Sequence, residues 1–136
     1  MSAVARIAAF AAACVAGLIA FGTGPVAAQA APGTPKTVLM LTVTSAEGSY
    51  GAARAAALQC SPAGGSHPAP VAACGALQAV NGDFRALQSQ DDLCTKEYRP
   101  VTATVVGFWQ GRPLTYQATF PNHCLLLDAT GDVFDF

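Results

Sequence analysis

Cysteine placement constrains this chain more than any other feature. Of its five cysteines, Cys14 lies in an N-terminal apolar run, and Cys60, Cys74, Cys94 and Cys124 are spread through the remainder. The run has the layout of an export signal. Arg6 supplies a positive start, residues 7–21 form an alanine-rich apolar stretch, and Gly22-Thr23-Gly24-Pro25 breaks any helix. Val26-Ala27-Ala28 then presents the small residues that a signal peptidase needs. The stretch is shorter than the roughly 20 residues that span a bilayer. A signal peptide is expected over residues 1–28, cleaved at 28/29 or 30/31. The mature chain is then extracellular, with no membrane association. Four cysteines in a short secreted domain imply two disulfides, in one of three pairings. The sequential pairing closes two separate loops. A zinc site is disfavoured, because the spacings are wide and there is no Cys-x-x-Cys knuckle.

Charge excludes further classes. Of seven basic side chains, Arg6 leaves with the signal, so the mature chain carries a small acidic excess against its eight Asp and Glu residues. That balance offers neither the basic patch of a nucleic-acid binder nor attraction to an anionic membrane. One domain is expected at this length, with a core thin enough to benefit from covalent staples.

The pattern along the chain reads as α+β. Residues 29–36 form a tail rich in Ala, Pro, Gly and Thr, and residues 37–136 form the domain. Residues 37–44 (TVLMLTVT) are β-branched and apolar, a strand. Residues 45–51 read as a loop. Residues 52–59 are ambiguous, alanine-rich enough for a helix yet short enough for a strand. Residues 61–70 (SPAGGSHPAP) are irregular. Residues 71–80 read as a helix, started by Pro70 and capped by Asn81-Gly82, with one more turn over 83–87. Residues 101–109 and 114–120 form a hairpin around Gly111. Residues 122–131 read as a connector and 133–136 as a last short strand. The sum is an antiparallel sheet with a main helix on one face.

Residues 91–100 stand out chemically. In Leu93-Cys94-Thr95-Lys96-Glu97-Tyr98-Arg99-Pro100, a lysine follows a cysteine by two residues and precedes a proline-stiffened strand. An exposed basic side chain on a pinned, extended loop is what trypsin-like and subtilisin-like proteases read as substrate. Taken alone, Lys96 is an ordinary solvated lysine, and Glu97 pairs with Arg99 on the surface. His67 and His123 raise metal or general-base chemistry. A Cys–His pair needs a free thiolate, however, and two disulfides leave none. His67 is expected to pack its loop, and Trp109 to pack in the core or a dimer. Asp91 and Asp92 are too few ligands for calcium and are expected to be solvated or to cap. No metal, cofactor or catalytic residue is expected.

Several short motifs occur together in order. Cys-Ser-Pro-x-Gly-Gly-Ser-His-Pro runs from Cys60 to Pro68, followed by Ala73-Cys74-x-x-Leu77 and Asn81-Gly82-Asp83. Then come Leu93-Cys94-x-x-x-Tyr98-x-Pro100-Val101, Gly107-x-Trp109-Gln110-Gly111, Thr119-Phe120-x-Asn122-x-Cys124 and Val133-Phe134-x-Phe136. The combination resembles the subtilisin-inhibitor-like family of streptomycetes, secreted inhibitors of serine proteases, over about residues 37–136. The resemblance implies a five-stranded antiparallel sheet with two helices on it, a homodimer, and disulfides Cys60–Cys74 and Cys94–Cys124. It implies Lys96–Glu97 as the scissile bond, within a protease-binding loop of Leu93, Cys94, Thr95, Lys96, Glu97 and Tyr98. Thr95 stands where many members carry proline or threonine. The alanines of residues 52–57 depart from the family strand there, and pairing within the sheet is expected to override their helical propensity.

On that reading Cys94–Cys124 pins one side of the bond, and Pro100 with the strand from Val101 restrains the other. Asn122, two residues before Cys124, is expected to hydrogen-bond the loop backbone. The expected partners are trypsin-like and subtilisin-like serine proteases. The rival reading is a non-inhibitory secreted binding module that uses the sheet or dimer surface. A hydrolase is disfavoured by the lack of a nucleophile beside a base.

Overall fold

The computed structural model describes residues 33–45 and 53–136. The expected signal peptide, residues 29–32 of the tail and most of the loop at 45–51 lie outside the described residues. Strand β1 (Thr37–Ser45) is the middle of a five-stranded antiparallel sheet. It is flanked by β2 (Arg54–Cys60) and, beyond it, the two-residue β3 (Gly64–Gly65). On its other side lie β4 (Val101–Trp109) and β5 (Arg112–Phe120). The period-2 rule assigns the faces. Leu39, Leu41 and Val43 of β1 point inward with Ala56 and Leu58 of β2 and Val101, Ala103 and Val105 of β4.

Helix α1 (Pro70–Ala79) covers this inner face through Ala73, Cys74 and Leu77. Proline at its first turn costs no hydrogen bond. Its end is a Schellman motif: Gly82 N–H donates to Leu77 O at 2.8 Å and Asn81 N–H to Gln78 O at 3.1 Å. Asn81 and Gly82 both take positive φ. Gly82 is doubly required, since a Cβ there would lie 2.7 Å from the Trp109 ring. Trp109 is a core residue. A 3-10 turn follows (Phe84–Ala86), capped by Asp83, whose Oδ1 accepts the Arg85 N–H at 3.0 Å.

Sheet pairing does override alanine propensity in β2, where Leu39 pairs Leu58 and Leu41 pairs Ala56. The β4–β5 hairpin turns on Gln110 and Gly111, both at positive φ, the two-residue turn whose twist matches the strands. Strand β5 begins at Arg112 and so includes Pro113, which the sequence reading left out. Proline fits because β5 is an edge strand.

Two expectations are corrected. Residues 122–131 are not a connector but helix α2 (His123–Thr130), capped by Asn122 and ended by Gly131 at φ +53. Residues 133–136 are not a strand. A 3-10 turn spans Gly131–Val133, and Val133 and Phe134, adjacent in sequence, are both fully buried. Two consecutive inward side chains break the alternation a half-buried strand requires. The fifth strand is instead Gly64–Gly65, inside the segment read as irregular. A Cβ on Gly65 would collide with Ala57 O, so glycine permits the close approach.

His67 locks the C-terminal segment to this loop. Its ring nitrogens meet Val133 O and Ala69 N–H at 3.1 Å each, and its edge meets Phe136. The disulfides are Cys60–Cys74, which ties β2 to α1, and Cys94–Cys124. Closing loops of this size stabilises by roughly 3–4 kcal/mol each in the chain-entropy account. That is a large share of a total of about 5–15 kcal/mol.

Candidate functional site

Residues 87–100 join the first 3-10 turn to β4 without regular structure. Segments of this kind run over the surface, and this one is prominent. Leu93 is fully exposed, Tyr98 is 75 % exposed, and Thr95, Lys96 and Glu97 are exposed. Among the described residues Lys96 has no hydrogen-bond or ion-pair partner. Glu97 and Arg99 do pair, with Oε1 and Nε 2.9 Å apart, both well exposed. A surface pair of this kind contributes little to stability.

The loop is nevertheless held at several points. Cys94 is bonded to Cys124 in the first turn of α2, with Cα atoms 5.7 Å apart. Arg99 N–H donates to Pro121 O at 2.9 Å. Pro100 is half-buried where β4 begins.

Asn122 does most of the remaining work. It is buried, and its Nδ2 donates to Thr95 O at 3.0 Å and to Glu97 O at 2.9 Å. Its Oδ1 accepts the Leu125 N–H at 2.9 Å. One amide thus spends both donors on the carbonyls that bracket Lys96 and its acceptor on the helix N-terminus. The amide orientation follows from its partners, since a backbone N–H requires the oxygen and two carbonyls require the nitrogen.

The upstream flank is held as well. Asp92 N–H and the Ser89 hydroxyl both donate to the Asp128 carboxylate on α2 at 2.8 Å. These hydrogen bonds hold the Asp128 carboxyl below the usual carboxylate range, with the Asp92 N–H the largest cause. The sequence reading did not single out Ser89 or Asp128. No local pattern could have found a contact between residues 36 positions apart. The structure does bring Leu93, Cys94, Thr95, Lys96, Glu97, Tyr98, Pro100, Asn122 and Cys124 together at one end of the sheet. Cys60 and Cys74 lie apart from them and staple the core.

Among the described residues no thiolate nucleophile stands beside a base at the loop. All four cysteines among the described residues are oxidised. His67 commits both ring nitrogens to backbone partners. His123 is held below the usual histidine range by burial and then by the Arg54 charge, against the opposing Asp135. Among the described residues no group of three or more His, Cys, Asp or Glu could hold a metal.

A family model described as subtilisin inhibitor-like matches residues 35–122, the stretch that holds all five strands and the exposed loop. The chain belongs to the subtilisin inhibitor-like family. Its relatives include protease inhibitor SIL-V1/SIL-V4 of Streptomyces netropsis, 46% identical over an alignment of 105 residues that covers 74% of this chain and 96% of that protein. A subtilase-type protease inhibitor of Streptomyces coelicolor is 47% identical over 104 residues, 74% of this chain and 72% of that protein. Among solved structures, sermetstatin of Streptomyces caespitosus in complex with Bacillus licheniformis subtilisin matches at a TM-score of 0.59. It is 33% identical, covering 73% of this chain and 97% of that one. These relatives of the subtilisin inhibitor-like domain are inhibitors of proteases, not enzymes.

Proposed function

We propose that the chain is a secreted inhibitor of serine endoproteases, subtilisin-like through its scaffold and trypsin-like through Lys96, with Lys96–Glu97 as the scissile bond. The observation that carries this reading is the buried Asn122 amide, bonded to Thr95 O and Glu97 O on either side of Lys96, in a loop that the Cys94–Cys124 disulfide ties to the same helix.

The mechanism follows from an exposed backbone with restricted freedom. The segment from Leu93 to Tyr98 pairs with the substrate-binding strands of the protease, as an added β-strand does. Lys96 enters the primary pocket. A carboxylate at the pocket floor pairs with its ammonium, and in a long apolar pocket the methylene stem packs while the head reaches water. The loop is ordered before binding, so little entropy is lost and more of the contact energy appears as affinity. After cleavage, Asn122 still holds a carbonyl on each side of the cut. The new Lys96 carboxylate and Glu97 amine stay close, and resealing competes with release.

The outer sheet face supports a homodimer. Val38 pairs with Phe108 and Met40 with Val106 across β1 and β4. All four side chains are exposed, Met40, Val106 and Phe108 by about half or more. A contiguous apolar block on a small secreted domain marks an association surface. Residues 1–28 as an export signal complete the reading, and an oxidising destination matches the two disulfides.

Titrating bovine trypsin and subtilisin with the mature, oxidised protein tests the proposal. Stoichiometric inhibition of both, with slow cleavage at Lys96–Glu97 found by mass spectrometry, is the expected result. Lys96→Asp should abolish inhibition of trypsin. Rapid cleavage without inhibition would leave the loop a mere substrate and favour the binding-module reading.

A further inference from the structure

Helix α2 holds the loop from both flanks. Asn122 and Cys124 act at and after Cys94, and Asp128 acts on the residues that lead into it. The Asp128 Oδ1 accepts the Asp92 N–H at 2.8 Å, Oδ2 accepts the Ser89 hydroxyl at 2.8 Å, and the Asp128 carbonyl accepts the Gln90 N–H at 2.9 Å. The Ser89 Oγ accepts the Asp91 N–H at 3.2 Å. Asp128 thereby holds the backbone N–H groups of Gln90 and Asp92 directly and that of Asp91 through the Ser89 hydroxyl. Asp91 among them takes φ +57, a conformation that residues other than glycine keep only when their surroundings impose it.

The helix gains nothing from this side chain. Asp128 lies in the last turn of α2, where the macrodipole disfavours a negative charge, and aspartate is a weak helix former. The buried side of α2 is carried by Leu126 and Thr130. What the carboxylate does favour is the shape of the segment ahead of Leu93. Two charge-assisted bonds to neighbouring residues define an angle as well as a distance.

We propose that Asp128 is a positioning residue of the reactive loop: it fixes the upstream flank, so that Leu93 to Lys96 meets a protease already extended. This rests on Lys96–Glu97 being the bond presented. Asn122 alone leaves the upstream flank free to pivot about the Cys94–Cys124 bridge. With Asp128 engaged, the loop is tied to one rigid helix on each side of that bridge.

The test uses the full mature chain and three variants, Asp128→Ala, Asp128→Asn and Ser89→Ala. Equimolar subtilisin is added and the return of enzyme activity is followed, alongside thermal unfolding and amide exchange of residues 89–92 in the free proteins. In Asp128→Ala, activity should return about three- to tenfold sooner, the scale of losing two exposed charge-assisted bonds that are each screened by water. Exchange at Gln90 and Asp92 should accelerate while the β-strand amides keep their protection. Asp128→Asn, which keeps an oxygen for the Asp92 N–H, and Ser89→Ala should fall between that variant and the parent. Unchanged persistence in Asp128→Ala, or unchanged exchange at Asp92, would overturn the proposal. A fall in persistence that merely tracks the melting temperature across the variants would overturn it too. Failure of the inhibitor reading itself shows separately, as absence of inhibition by the parent chain.

Discussion

Replacing Asn122 should convert a lasting inhibitor into a slow substrate. Asn122→Ala deletes two bonds to loop carbonyls, at 3.0 and 2.9 Å, and one cap bond to Leu125 N–H at 2.9 Å. An intramolecular hydrogen bond nets about 0.5–1.5 kcal/mol, so the two loop bonds together are worth about 1–3 kcal/mol. The cap adds about 1 kcal/mol. Only the loop bonds steady the atoms next to Lys96–Glu97. At about 1.4 kcal/mol per factor of ten, their loss speeds release of the cut loop by about five- to hundredfold.

Asn122→Asp separates the two roles. Its carboxylate still accepts the Leu125 N–H, and aspartate caps as well as asparagine, but both donors to Thr95 O and Glu97 O are gone. The assay is the time for subtilisin to regain activity from an equimolar mixture, with mass spectrometry of the Lys96–Glu97 cut and a melting curve for each variant. Both variants should lose persistence, Asn122→Asp at least as much as Asn122→Ala despite its intact cap. Persistence of Asn122→Asp equal to that of the parent would refute the reasoning, as would a loss ordered by melting temperature.

Two further outcomes are expected. Met40→Asp combined with Val106→Asp should yield a monomer by analytical ultracentrifugation that still inhibits subtilisin, because both residues lie on the outer sheet face and not on the loop; a persisting dimer would remove that face from the interface. The Asp128 carboxyl lies below the usual carboxylate range because the folded state hydrogen-bonds its charged form. A depressed folded value means that this contribution to stability is complete above the ordinary carboxylate range and disappears as pH falls through the lowered value. Nearby carboxyls are those of Asp91 and Asp92 on the loop, and Asp132 and Asp135, which line the adjoining cleft with Asp92 and Gln90. An NMR titration should therefore show an Asp92 amide inflection at low pH that vanishes in Asp128→Asn, and its survival in that variant would assign it to one of those four.

The legible parts of the fold were those in which local pattern and tertiary demand agree. Leu39, Leu41 and Val43 alternate in sequence as they do in β1, and Pro70 and Asn81-Gly82 delimit α1 because their backbone chemistry allows little else. Helix α2 was hidden by composition. Its eight residues carry Leu125-Leu126-Leu127 without a 3.6-residue period, and its caps, Asn122 and Gly131, read equally as turn residues. The C-terminal segment misled because Val133 and Phe134 are strand formers that wedge into the core without a pairing partner. At the site, Lys96 could be picked out by its spacing from Cys94 together with the family resemblance, and Asn122 by its spacing from Cys124. Asp128 could not, since only the register of a helix not assigned from sequence brings it to Asp92.

The side chain of Lys96 is exposed and makes no hydrogen bond or ion pair among the described residues, and the restraints on the loop act on backbone or on its neighbours. Recognition is thus uncoupled from folding at the position that would choose the target. Exchange of Lys96 for another side chain should leave the melting temperature where it was while redirecting the scaffold to a different class of protease. A lineage facing changing proteases can therefore explore this position one codon at a time, with no compensating change elsewhere.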